Sequence, residues 1–191
     1  MKLQIIFGST REGRQGEKVA LWARSQALAL ENIEIDYTDL RDINLPFFNE
    51  AVSPSMIKDG SYSNETQKAW AKRVRSADAY IIVTPEYNHS YPAVLKNALD
   101  YIYHEWSNKP VGFISYGGGA GGSLAVEQLR LVVAELQMVS IRESIHIGLF
   151  HASPFNEEGK MTNPHLNMQF ASFATQLLWW AEALKNARDK N

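Results

Sequence analysis

Hydrophobic positions along this chain fall into two alternating patterns. The runs 3–7, 79–84 and 111–115 are almost continuously apolar, as expected of strands buried on both faces. Segment 33–37 alternates strictly, and Ile141, Ile145 and Ile147 alternate with Arg142, Ser144 and His146, which predicts half-exposed strands at sheet edges. Between these runs apolar residues recur at helical spacing. Val19, Trp22, Ala23, Ala27 and Leu30 form one such stripe; Val94, Leu95, Ala98, Leu99 and Ile102 form a second; Leu129, Val132, Val133 and Leu136 form a third. Trp70 and Val74 mark a shorter helix, and Phe170, Phe173, Leu177, Trp180 and Leu184 predict a final helix that closes one face.

Strand and helix alternate, so right-handed crossovers into a parallel sheet are the simplest topology. With the second and fifth strands as edges, the order is 2-1-3-4-5: an α/β, flavodoxin-like, doubly wound five-stranded sheet with helices on both faces. Residues 49–64 and 148–164 are polar, contain proline and glycine, and read as long loops, either binding loops or plain surface insertions. With 191 residues, 45% of them hydrophobic, residues 1–191 are expected to form one domain.

Composition narrows the function. Lys and Arg number 19 against 21 Asp and Glu, a formal charge of −2, so no basic excess is available for a nucleic-acid backbone. The absence of cysteine removes disulfides, thiolate ligands and a thiol nucleophile, and makes a cytoplasmic location the expectation. The apolar run after Met1 is far shorter than a signal peptide or membrane span, so neither export nor insertion is expected. Two glycosylation triplets, at Asn64 and Asn88, then read as chance matches. His89, His104, His146, His151 and His165 show no paired ligand spacing, and no metal is expected.

Three special segments follow predicted strands, where ligands of parallel sheets bind. The first is Gly8-Ser9-Thr10-Arg11-Glu12-Gly13-Arg14-Gln15-Gly16, whose amides, hydroxyls and arginines suit an anion at a helix amino end, or else form a glycine-rich turn with solvated arginines. Its glycine spacing approaches a nucleotide P-loop, but Arg14-Gln15 stands where Lys and Ser or Thr are required, which argues against triphosphate hydrolysis. The second, Pro85-Glu86-Tyr87-Asn88-His89-Ser90-Tyr91-Pro92, predicts a rigid loop exposing the amides of Glu86, Tyr87 and Asn88 beside an aromatic surface, or an ordinary turn with packed tyrosines. The third, the glycine run 117–122, lets backbone approach a flat ligand closely. It also matches the dinucleotide glycine spacing, but the acidic residue that should follow is Glu143, inside an edge strand. A hydrolase elbow at Ser115 fails because Phe113 occupies its first glycine position.

Gly8-Ser9-Thr10-Arg11, Pro85-Glu86-Tyr87-Asn88 with Pro92, Leu95-Lys96-Asn97-Ala98-Leu99-Asp100 and the glycine run after Ser115 together resemble the NADPH-dependent FMN reductase family of flavodoxin-like proteins, over residues 2 to about 140. The resemblance implies that Ser9, Thr10, Arg11, Arg14, Gln15 and Gly16 hold the FMN phosphate, while Pro85, Glu86, Tyr87 and Asn88, with Ser115, Gly117, Gly118 and Gly119, embrace the isoalloxazine. Family members often carry a serine where this chain has Gly16, and Arg14 or Gln15 is expected to replace that hydroxyl.

The activity so implied is ping-pong hydride transfer from NADPH, or NADH, to FMN and then to a small acceptor: free flavin, a quinone, an azo or nitro compound, or a metal oxyanion. Flavin N5 carries the chemistry, so no catalytic acid or base is required. A non-enzymatic flavodoxin-type carrier and a flavin-sensing module are the alternatives; carriers tend to be strongly acidic, and −2 is a weak field. The resemblance further implies a homodimer or homotetramer. Tyr101, Tyr103 and Trp106 form an aromatic cluster that is either part of that interface or core.

Overall fold

In a computed structural model the structure describes residues 1–148 and 153–190. Five strands, β1 (Lys2–Phe7), β2 (Glu34–Asp39), β3 (Ala79–Pro85), β4 (Pro110–Gly117) and β5 (Val139–Gly148), form one parallel sheet in the order β2-β1-β3-β4-β5. This is the flavodoxin-like order read from the alternating and continuous apolar runs. β3 is buried at every position, while β5 shows residues to solvent along its length, as an edge strand does.

Among the described residues, α1 (Gly16–Leu28), α2 (Leu40–Ile43), α3 (Glu65–Arg75), α4 (Ala93–Asp100) and α5 (Ser123–Glu135) lie between strands, and α6 (Pro164–Arg188) follows β5. One core packs α1 and α6 against Leu3, Ile5, Phe7, Ile81 and Val83. The opposite core packs α3, α4 and α5 against Ile6, Tyr80, Ile82 and Phe113. Successive strand residues therefore feed opposite faces, as the two-residue repeat of a strand requires.

Several boundaries differ from the sequence pattern for local reasons. α3 begins well before Trp70 because Asn64 caps it, its side chain accepting from the amides of Thr66 and Gln67 at 2.8 and 3.2 Å. Leu30 and Ile102 lie beyond their helices although their apolar spacing continues. The 49–64 segment contains a short helical turn, Pro54–Met56, and the chain just before it is held to α4 by Asn97, whose side chain accepts from Phe48 N and donates to Pro46 O, each at 2.9 Å. Of the expected 148–164 loop, residues 149–152, His151 included, lie outside the described residues. The remainder closes on itself through a bridge between Phe155 and Met161.

Tyr101 and Trp106 prove to be core. Trp106 is fully buried against Trp70 and Tyr80, and Tyr101 packs edge-on to Phe48 at 5.5 Å. Of that cluster only Tyr103 is half-exposed, and its hydroxyl donates to Glu135 O. Among the described residues, no helix is long and apolar enough to cross a membrane.

Candidate cofactor site

The parallel register brings the carboxyl ends of β1, β3 and β4 to one rim, and the three special segments meet there. Gly8 N donates to Val83 O at 2.9 Å, fixing the first segment to β3. Ser9 is buried, and its hydroxyl shares a 3.1 Å hydrogen bond with that of Tyr87. Glu86 N donates to Tyr116 O at 3.1 Å, joining the second segment to β4, and the Glu86 carboxylate accepts from Leu124 N at 3.1 Å, at the start of α5. Each segment is thus braced by another.

Tyr87, Asn88, His89 and Ser90 form a two-residue hairpin. Tyr87 and Ser90 exchange both backbone hydrogen bonds, at 2.8 and 3.0 Å, around Asn88 and His89, which both adopt positive φ of 50° and 66°. That is the backbone of a type I′ turn, and it is clamped by Gln128 of α5, which donates to His89 O and accepts from the Ser90 hydroxyl, each at 2.7 Å. The expectation of three free amides is corrected here. Those of Glu86 and Tyr87 are spent on Tyr116 O and Ser90 O, because the turn closes on itself and on β4.

In the third segment the Ser115 hydroxyl is engaged on the β5 side. It donates to Gly121 O at 2.9 Å and pairs with His146 Nδ1 at 2.7 Å, while His146 Nε2 pairs with the Ser144 hydroxyl at 2.8 Å. Burial, aided by Arg130, holds His146 below the ordinary imidazole value. Gly122, the N-cap of α5, has φ 88°, and a side chain there would strike Ser115.

The arginines divide. Arg14 is buried: its guanidinium takes both carboxylate oxygens of Asp39, donates to Ser9 O and stacks 4.3 Å from the Phe7 ring centre. Gln15 is exposed at the N-cap of α1, yet no side chain caps that helix. Arg11 is exposed, with its guanidinium unpaired among the described residues. The terminal nitrogens of Arg14 are taken by Asp39 and Ser9 O, while Gln15 is exposed beside the first turn of α1.

A cleft of about 210 Å³ opens between the segments, lined by Arg11, Arg14, Gln15, Pro85, Glu86, Tyr87, Tyr116 and Gly117. Seven of these were singled out from the sequence. Ser9 is bonded to Tyr87 of the lining, whereas Thr10, Gly16, Asn88, Gly118 and Gly119 do not line the cleft, nor does Ser115, whose hydroxyl is spent on Gly121 O and His146. A larger groove of about 730 Å³ runs from Gln15 along α1 to residues 157–161, but its walls carry solvated charges such as Lys18, Arg41, Glu157 and Lys160. The rim cleft has the convergent polar groups that a ligand site needs.

Tyr116 and Asp39 are the residues the sequence pattern missed. Tyr116 falls between the apolar run 111–115 and the glycine run 117–122, and neither pattern marks it. It is 5% exposed, and its hydroxyl is buried without a hydrogen-bond partner. Burial pushes this phenol well above its ordinary value, and the Ser9 hydroxyl, close enough to act on it but hydrogen-bonded in good geometry only to Tyr87, offsets part of the shift. An unpaired phenol, an unpaired Arg14 Nε, a free Arg11 and an uncapped helix amino end together suit an anionic group beside a flat one. The carboxylate of Glu86, which lines the cleft, accepts from Leu124 N at the start of α5.

Comparisons with known proteins give the family and the fold. Residues 1–152 match the family described as NADPH-dependent FMN reductase. An NAD(P)H-dependent FMN reductase of Schizosaccharomyces pombe is 41% identical over 137 residues, 72% of this chain and 68% of that protein. A quinone reductase of Pseudomonas putida is 33% identical over 186 residues, 90% of this chain and 91% of that protein. Among solved structures, the flavoenzyme NAD(P)H:(acceptor) oxidoreductase FerB of Paracoccus denitrificans superposes with a TM-score of 0.74 at 24% identity, covering 95% of this chain and 97% of that one, a likeness of fold.

Proposed function

This chain belongs to the NADPH-dependent FMN reductase family and is an NAD(P)H-dependent oxidoreductase with FMN as cofactor, and from that premise we propose that its rim cleft serves a ping-pong cycle ending on a quinone or free flavin. The observation that carries the reading is the mutual bracing of the three segments through Ser9, Tyr87, Glu86 and Tyr116 around one cleft. When bound, FMN supplies the redox chemistry, accepting hydride at N5 from the nicotinamide and passing two electrons onward.

The chain's own residues bind and orient. Arg11 and the amino end of α1 attract the phosphate, and Arg14 holds the segment rigid through Asp39. Pro85, Glu86, Tyr87 and Gly117 form the wall along which the ring system would lie, with Gly118 and Gly119 following Gly117 in the chain. Pre-organised walls align each substrate in turn over the same exposed face, which is where the rate gain arises. A single domain over residues 1–191 is part of the proposal, as is a homodimer or homotetramer. Phe47, Val52 and Met56, exposed on the segment before α3, support an assembly surface.

The decisive experiment mixes the FMN-loaded protein anaerobically with NADPH and with NADH. Rapid bleaching of the flavin absorbance is expected, followed by recovery on adding a quinone. Inertness toward both nucleotides would instead identify an electron carrier. Initial rates with NADPH varied at several quinone concentrations should give parallel lines, and intersecting lines would exclude ping-pong order. Sedimentation as a strict monomer at micromolar concentration would remove the assembly.

A further inference from the structure

Gly16 is the first residue of α1, and the space beside its Cα is already taken. A Cβ built there would lie 1.9 Å from both Cζ and Oη of Tyr116. The phenol thus closes directly over the amino end of a 13-residue helix that no side chain caps. The hydroxyl of Tyr116 is buried without a partner. Its neighbour Ser9 is already paired with Tyr87, and Arg14, from the same segment, is held by Asp39. A buried donor left unpaired costs free energy unless a ligand completes it.

We propose that Tyr116 Oη is a phosphate-binding hydroxyl, donating to the terminal phosphate of the flavin nucleotide at the amino end of α1, and that position 16 is glycine because the phenol occupies the volume of a side chain. This rests on the reading of the rim cleft as the FMN site. The two residues act as one unit. A hydroxyl delivered from β4 stands where one from α1 would otherwise stand, and it does the same electrostatic work from across the cleft. Because burial raises the phenol's pKa, it stays protonated at neutral pH and remains a donor to a dianion. A hydrogen bond to a charged phosphate is among the stronger kinds.

The pair of ligands FMN and riboflavin isolates this contact, since they differ by the phosphate alone. Dissociation constants of both are measured on apoprotein by quenching of flavin fluorescence. The wild-type chain is expected to prefer FMN. Tyr116→Phe keeps the ring and should raise the FMN constant about tenfold or more, each tenfold being about 1.4 kcal/mol, while leaving riboflavin within about twofold. Gly16→Ser alone should also weaken FMN, because its side chain collides with the phenol. In a Tyr116→Ala background the same serine is unobstructed, and the double variant should regain part of the FMN preference that Tyr116→Ala loses.

If Tyr116→Phe leaves FMN unchanged, or weakens both ligands alike, the hydroxyl has no phosphate role and the proposal is overturned. If the wild type binds neither ligand, or binds both equally, the reading of the cleft itself fails. A wild type that prefers FMN beside a Tyr116→Phe variant that keeps the preference overturns only the role given to Tyr116.

Discussion

Asp39, the last residue of β2, accepts from both terminal nitrogens of the Arg14 guanidinium, which comes from the segment after the neighbouring strand β1. The two side chains are only 5% and 9% exposed. The pair therefore works as a strut that sets the curvature of the first segment, with Ser9 O as its third attachment. Removing one partner leaves a buried charge uncompensated, which costs about 3–5 kcal/mol, whereas removing both together is far less costly. Arg14→Met and Asp39→Leu are each expected to lower the urea midpoint of the apoprotein strongly. The double variant should be more stable than the sum of the two losses indicates. Additive losses would show that the pair is not coupled.

Lys109 makes stability depend on pH. It is 6% exposed, with Nζ donating to Arg75 O at 2.9 Å and to Val74 O and the Tyr80 hydroxyl at 3.2 Å each. Burial, reinforced by Arg188, pushes it down to about 7 against the opposing pull of Asp78 and Glu105. Between that value and the ordinary lysine value near 10.4, the unfolded chain binds more protons than the folded one, so stability rises with pH across this window. Buried Tyr80 and Tyr62, whose values are raised, oppose the trend above about pH 10. The unfolding free energy, measured by urea titration from pH 7 to 9.5, should climb in the wild type. In Lys109→Met the slope should flatten, and an unchanged slope would remove this assignment.

The Asn88-His89 turn stores strain. A type I′ turn strongly prefers glycine at its second position, where this chain has His89 at φ 66°. Relief of the left-handed strain outweighs the extra entropy of glycine, so His89→Gly should stabilise the apoprotein by about 0.5–1 kcal/mol. In a chain of this size that corresponds to a Tm rise of roughly 1–4 °C. His89→Val should lower the Tm, because a β-branched residue tolerates positive φ worst.

Asn97 tests how the segment before α3 is held. Its two hydrogen bonds to Phe48 N and Pro46 O fix the backbone on either side of Phe47, which is 78% exposed. Asn97→Ala leaves that donor and acceptor unpaired, at a cost of about 1–3 kcal/mol. Hydrogen exchange within residues 44–57 should accelerate markedly while β3 stays protected. Uniform acceleration throughout the chain would mean that Asn97 supports the whole fold instead.

Strand order, the assignment of strands to centre or edge, and the position of three special segments at strand ends were all legible in the sequence. Continuous and alternating apolar runs record how many faces of each strand are buried, and that burial dominates folding energy. Side-chain partners were not legible. Arg14 reads as a free cation until the β1 and β2 register sets Phe7 opposite Asp39. Tyr116 goes unmarked until the sheet carries it over Gly16, and the Glu86 amide reads as free until β4 presents Tyr116 O to it. Trp106 likewise offers no sign of which surface covers it until Trp70 and Tyr80 do so. Local patterns encode which face is apolar; they carry no distance between residues remote in the chain. Only the packed sheet brings such residues within the 3 Å over which hydrogen bonds and steric exclusion act.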